Sequence, residues 1–179
     1  MRGFAEEIES PKYAHIERER RWLVDLSGRP SLDGLPYVLI EDLYVRGTRL
    51  RLRRMTDSET GARSLKLTKK YDSSDSLARP IVTAYLNEAE FALLAGLAAN
   101  PLSKRRYTLL HDGAGWSLDC FGAPLEGLEL VEIEAPDAAA LGALRSPSWA
   151  AKEVSAEPSY EGGALAAQAA KGELWQRSS

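Results

Sequence analysis

Charged and apolar residues alternate one for one along several short segments of this chain, and no other feature limits its fold so strongly. Arg49, Arg51 and Arg53 share a face opposite Leu50 and Leu52, and Lys66, Thr68 and Lys70 share one opposite Leu65 and Leu67. Glu17, Glu19 and Arg21 point away from Arg18, Arg20 and Trp22. Lys104 is paired with Arg106, Asp119 lies opposite Leu118 and Cys120, and Glu132 with Glu134 lies opposite Val131 and Ile133. A period of two belongs to the β-strand, so the chain reads as sheet with one ionic and one hydrocarbon face. For a single strand the ordinary interpretation is a solvated outer face. Three arginines on one face repel each other, however, and a surface needs no such concentration of like charge unless a ligand neutralises it.

The chain has 179 residues, 44% of them hydrophobic, which suits one globular domain. We expect a leader over residues 1–14 and a single domain over 15–179. No apolar run approaches the roughly 20 residues of a membrane span, and Glu6, Glu7 and Glu9 stand where a secretion signal would be basic and then apolar. The expectation is a cytoplasmic protein without a membrane partner. A net charge of −3 argues against a nucleic-acid partner. Cys120 is the lone cysteine and His15 and His111 the two histidines, so any metal would rest on carboxylates.

Strands are expected at 15–24, 38–45, 48–55, 64–71 and 79–86, then over SKRRYTLLHD, WSLDCF and LELVEIEA. Asn87 with Glu90 forms a capping box for a helix over 87–99 that stops before Pro101. Asp137 opens a second helix, to residue 145, and GGALAAQAAKGELWQ reads as a closing helix over 163–176. Trp22, Trp116 and Trp149 read as core anchors, and Cys120 as a small core side chain.

The order of these segments resembles the CYTH proteins, also called triphosphate tunnel metalloenzymes. ERERRWLV is similar to their ExExK strand, with Glu17 and Glu19 on the glutamates and Arg21 at the lysine. TRLRLR resembles the arginine strand, KLTKK the lysine strand, SKRRYT the K-x-R strand and WSLDCF the W-x-x-D-x-F strand. GLELVEIE resembles the late E-x-E strand and KEVSAEPSYEGGALA the terminal segment, so the likeness runs from about Glu17 to Ala167.

The resemblance implies an α+β fold: a closed antiparallel β-barrel of about eight strands, its charged face inward and its helices packed outside. It implies metal-dependent hydrolysis of inorganic triphosphate or a related organic triphosphate, with Mg²⁺ or Mn²⁺. Adenylate cyclase, thiamine triphosphatase and non-catalytic binding of polyphosphate or nucleotide triphosphate are the alternatives. Glu17, Glu19 and Arg21 would be catalytic. Glu17, Glu19, Asp119, Glu132 and Glu134 would hold metal, unless they form internal salt bridges to the arginines. Arg49, Arg51, Arg53, Lys66, Lys70, Arg79, Lys104, Arg106, Lys152 and Tyr160 would contact phosphate, arginine through its planar fork and lysine as a point charge. Two departures stand out. Arg21 replaces a lysine, and Ile81 and Thr83 occupy positions where the family shows two glutamates, which weakens the expected metal site or water activation.

Overall fold

The structure, a computed structural model, describes residues 11–172. Residues 1–10, most of the expected leader, and residues 173–176 of the expected closing helix lie outside the described residues. Nine strands form one antiparallel sheet: β1 (His15–Val24), β2 (Val38–Val45), β3 (Leu50–Asp57), β4 (Arg63–Lys70), β5 (Ala78–Tyr85), β6 (Ala99–His111), β7 (Ala114–Phe121), β8 (Glu129–Glu134) and β9 (Ala150–Glu153). Their order is β5-β4-β3-β2-β6-β7-β8-β1-β9, and β1 also pairs with β5, which closes eight of the strands into a barrel. Closure rests on how β1 divides its edges. Glu19–Leu23 pairs with β8 on one side, while the other side gives its first half to β5 and its last residues to β9.

The hydrocarbon face turns outward and is covered. Trp22, Trp116, Leu118, Val131 and Ile133 pack with Trp149 and with Leu141 of helix α2 (Ala138–Ala143). Leu52 and Leu65 pack under Phe91 of helix α1 (Glu88–Ala95). Burying each such side chain stabilises the fold by about 1.5–3 kcal/mol. The three tryptophans expected as anchors are all in this layer. Cys120 also faces it, and burial together with nearby Glu129 pushes its thiol up to about 12.

Helix α3 (Gly162–Ala170) sits differently. Its Leu165 and Ala166 meet Leu102, Phe121 and Leu130, which share the parity of Lys104, Asp119 and Glu132 and therefore belong to the inner face. Thus α1 and α2 lie against the outer wall as expected, whereas α3 lies across one end of the barrel. It reaches that place through β9 and a 3-10 turn at Pro158–Tyr160.

Candidate functional site

Antiparallel partners point to the same side of a sheet, so the register fixes the inner lining. Glu17 is opposite Arg79, Glu19 opposite Glu134, and Arg21 opposite Glu132. Arg106 is opposite Asp119, Arg53 opposite Asp42, and Arg51 between Tyr44 and Thr68. Ionic groups that lie far apart in sequence therefore converge on one enclosed space.

Within it they form a network. Arg21 donates from Nε to Glu132 at 2.6 Å, from Nη2 to Glu19 at 2.8 Å and from Nη1 to the Tyr160 carbonyl at 3.0 Å. Arg106 reaches both Asp119 oxygens and a Glu132 oxygen, each at 2.6 Å, and Lys104 also donates to Asp119. Arg53 grips Asp42 through two bonds of 2.7 Å. Lys70 donates to Glu17, and both Arg79 terminal nitrogens donate to Glu161 at 2.9 and 2.8 Å. Arg51 differs from the rest. Its buried Nε has no hydrogen-bond partner, its nearest Asp42 oxygen being 3.9 Å away.

These neighbours divide the carboxylates into two kinds. Burial works against ionising Glu132, but Arg21, Lys104 and Arg106 outweigh it and hold the group well below the usual carboxylate range. Asp42 and Glu17 are likewise depressed despite burial, by Arg53 and by Lys70 respectively. Glu19 is raised by burial and by Glu132. Glu134 is raised by burial and by Glu17 and Glu19.

Glu17, Glu19 and Glu134 bring one carboxylate oxygen each to within 4.8 Å of one another. Three like charges this close, two of them held above their usual values, fit a hard divalent cation, which takes oxygen ligands and would relieve the repulsion. Asp119 and Glu132 stand apart from that trio, with their oxygens engaged by Arg21, Lys104 and Arg106.

Three expected residues stand apart from the network. Arg49 pairs with Asp72 at a rim, Lys66, on the inner face opposite Arg53, stacks over the exposed Tyr85, and Lys152 is an exposed partner of Glu157. Tyr160 borders the inner cavity, and its backbone carbonyl is the atom that meets Arg21. Ile81 and Thr83 follow Arg79 on the inner face, where Thr83 Oγ1 is 3.1 Å from Thr68 Oγ1. Asp42 and Tyr44 also line the interior, but VLIEDLYV puts one carboxylate on each face and offers no charge run that would single them out. Glu161 sits in an irregular segment where no period could reveal it.

The free space is small. About 70 Å³ lies at the mouth, beside Lys70, Arg79 and Glu161, and about 60 Å³ deeper, beside Lys104, Arg106 and Glu132. Each has room for only a few waters, so a larger anion would enter only as side chains yield.

No protein-family model matches the chain. Over 59 residues it is 37% identical to an inorganic triphosphatase of Acetivibrio thermocellus, a match covering 33% of this chain and about a third, 36%, of that protein. Two crystal structures of the protein NE1496 resemble it more fully. One, described as an inorganic triphosphatase, is 24% identical, with a TM-score of 0.54 over 84% of this chain and 93% of that one. The other is 25% identical, with a TM-score of 0.55 over 84% and 97%. PH1819 from Pyrococcus horikoshii OT3 is 19% identical, with a TM-score of 0.52 over 70% and 82%. The closed barrel and these likenesses show that the chain shares the fold of NE1496, and its charged interior agrees with the resemblance of its strands to those of the CYTH, or triphosphate tunnel, proteins.

Proposed function

We propose that this chain is a divalent-metal-dependent triphosphatase acting on inorganic triphosphate or a related organic triphosphate, with Mg²⁺ or Mn²⁺ as the metal, in the cytoplasm. One observation carries the reading: Glu17, Glu19 and Glu134 gather in an enclosed barrel beside Arg21, Lys70 and Arg106. Carboxylates in a phosphate site are intelligible when a cation lies between them and the anion. The 59-residue likeness to an inorganic triphosphatase supports inorganic triphosphate as the first substrate to try.

In this reading Glu17, Glu19 and Glu134 hold the metal, and Glu17 and Glu19 also orient the attacking water. Asp119 and Glu132, assigned to the metal by resemblance, act instead as positioning residues that fix the forks of Arg106 and Arg21. Arg51, Arg53, Lys70, Arg79, Lys104 and Arg106 contact the phosphate chain, with Arg49, Lys66 and Lys152 serving at the rims. Arg21 faces charge that develops on the phosphoryl oxygens. The metal, when bound, polarises a phosphoryl oxygen and makes a bound water more acidic. The test is release of orthophosphate from inorganic triphosphate with Mg²⁺ or Mn²⁺. Glu19→Gln and Glu134→Gln should each lower the rate by about 10–100-fold. No release with either metal, alongside tight triphosphate binding, would remove the enzymatic claim.

A second reading, a non-catalytic binder of polyphosphate or nucleotide triphosphate, draws on Ile81 and Thr83, which leave the β5 lining beyond Arg79 without carboxylates. Activity that appears only in the Ile81→Glu/Thr83→Glu double variant would favour it. Thiamine triphosphate and ATP belong in the same assay, since hydrolysis of the first or cyclisation of the second would redirect the substrate assignment.

A further inference from the structure

The Arg79 fork is filled by the protein itself. Glu161 accepts two parallel hydrogen bonds from it, the geometry in which arginine grips a phosphate. The pair lies at the cavity mouth, lined also by Glu17, Lys70, Tyr44 and Gly162, with 24% of the Arg79 side chain and 43% of the Glu161 side chain exposed. Glu161 immediately precedes α3 and occupies its cap position, yet its carboxylate makes no bond to the helix amides. The carboxylate turns to Arg79 instead, whose hydrogen bond holds it below its usual value, so it is an anion at neutral pH. Arg21 fixes the same segment through the Tyr160 carbonyl, which keeps Glu161 within reach of the fork.

We propose that Glu161 is a tethered internal anion that occupies the Arg79 phosphate position in the free protein and has to be displaced by substrate, which makes it a determinant of affinity. The inference rests on the anion-binding reading of the barrel. A tethered carboxylate competes at a high effective concentration, so a small anion meeting Arg79 alone gains little by replacing it. A linear triphosphate already held by Lys70 and the deeper cations presents its end to Arg79 as a tethered competitor too. The pair thereby favours long, highly charged phosphate chains over single phosphates.

Calorimetric titration of inorganic triphosphate with Mg²⁺ into five proteins tests this: wild type, Glu161→Gln, Glu161→Asp, Arg79→Gln and the Glu161→Gln/Arg79→Gln double variant. Glu161→Gln is expected to tighten binding about two- to fivefold, and the gain is expected to vanish when Arg79 is also replaced. Glu161→Asp keeps the charge but shortens the arm, and should tighten binding by a smaller factor. Wild-type binding with unchanged or weaker affinity in both Glu161 variants overturns the inference alone. A gain that survives removal of Arg79 also overturns it, since the effect would then be one of net charge. Absence of binding in all five proteins removes the anion-tunnel reading and this inference together.

Discussion

Asp42 and Arg53 form the most enclosed bidentate pair in the barrel, the Asp42 side chain being 1% exposed and that of Arg53 11%. A buried charge left without its partner is costly, so Asp42→Ala should destabilise the protein by about 3–5 kcal/mol in denaturant titration. The pH dependence has a definite sign. Asp42 is depressed in the folded state by Arg53 and Arg51 in spite of burial. Its contribution is therefore complete above the ordinary aspartate range, near about pH 4, and disappears as pH falls through the depressed value. Asp42→Asn should flatten that acid limb, and an unchanged limb would count against the pair. Gly162 makes a second case. A Cβ there would lie 2.0 Å from the Tyr44 hydroxyl oxygen and 2.9 Å from Cζ, so the close seat of α3 on β2 depends on glycine. Gly162→Ala should cost about 1–3 kcal/mol, measured by thermal unfolding. Tyr44→Phe, which removes the closer atom, should restore part of the loss.

Among the elements, α1 is the most legible. Asn87 accepts from the Glu90 amide at 2.9 Å while Glu90 accepts from the Asn87 amide at 2.8 Å, the capping box that the sequence announced. Asn87→Ala should destabilise by about 1 kcal/mol in the same unfolding experiment. The far end of α1 was less legible. The apolar run to Asn100 suggested a helix to residue 99, but the helix stops at Ala95, Gly96 caps it, and β6 begins at Ala99 and runs through Pro101. Proline fits there for a local reason. Arg46 bonds to the Ala98 carbonyl on the β2 side and Gly122 to the Ser103 carbonyl on the other, so the missing Pro101 donor faces the edge that β7 has not yet joined. The β9 strand went unforeseen because the four residues of AAKE are too few to show a period. Inner and outer faces could be read along Arg49–Arg53, Leu65–Thr68, Leu118–Cys120 and Val131–Glu134, where charged or polar residues alternate with apolar ones, whereas β1 and β6 carry charge on both faces through Arg18, Arg20 and Arg105. Which carboxylates meet each other could not be read, since that depends on the register between strands.

For the whole molecule, the barrel reverses the usual arrangement of a half-buried sheet. Hydrocarbon is placed outside under α1 and α2, leaving an ionic interior that no ordinary core would keep. That interior is largely self-neutralised, since Arg21, Arg53, Lys70, Arg79, Lys104 and Arg106 each meet a carboxylate. Under the proposed function, an entering polyanion would compete with fixed carboxylates, and a divalent cation at Glu17, Glu19 and Glu134 would shift the balance in its favour. Triphosphate and Mg²⁺ together should raise the melting temperature by more than the two separate shifts combined, which differential scanning fluorimetry would register. The most direct measurement is anomalous diffraction from crystals soaked with Mn²⁺ and inorganic triphosphate. A manganese peak bounded by Glu17, Glu19 and Glu134 is expected, with phosphate density inside the barrel against Arg51 and Arg106. Manganese bound elsewhere, or triphosphate lodged on the outer wall, would contradict the proposed site.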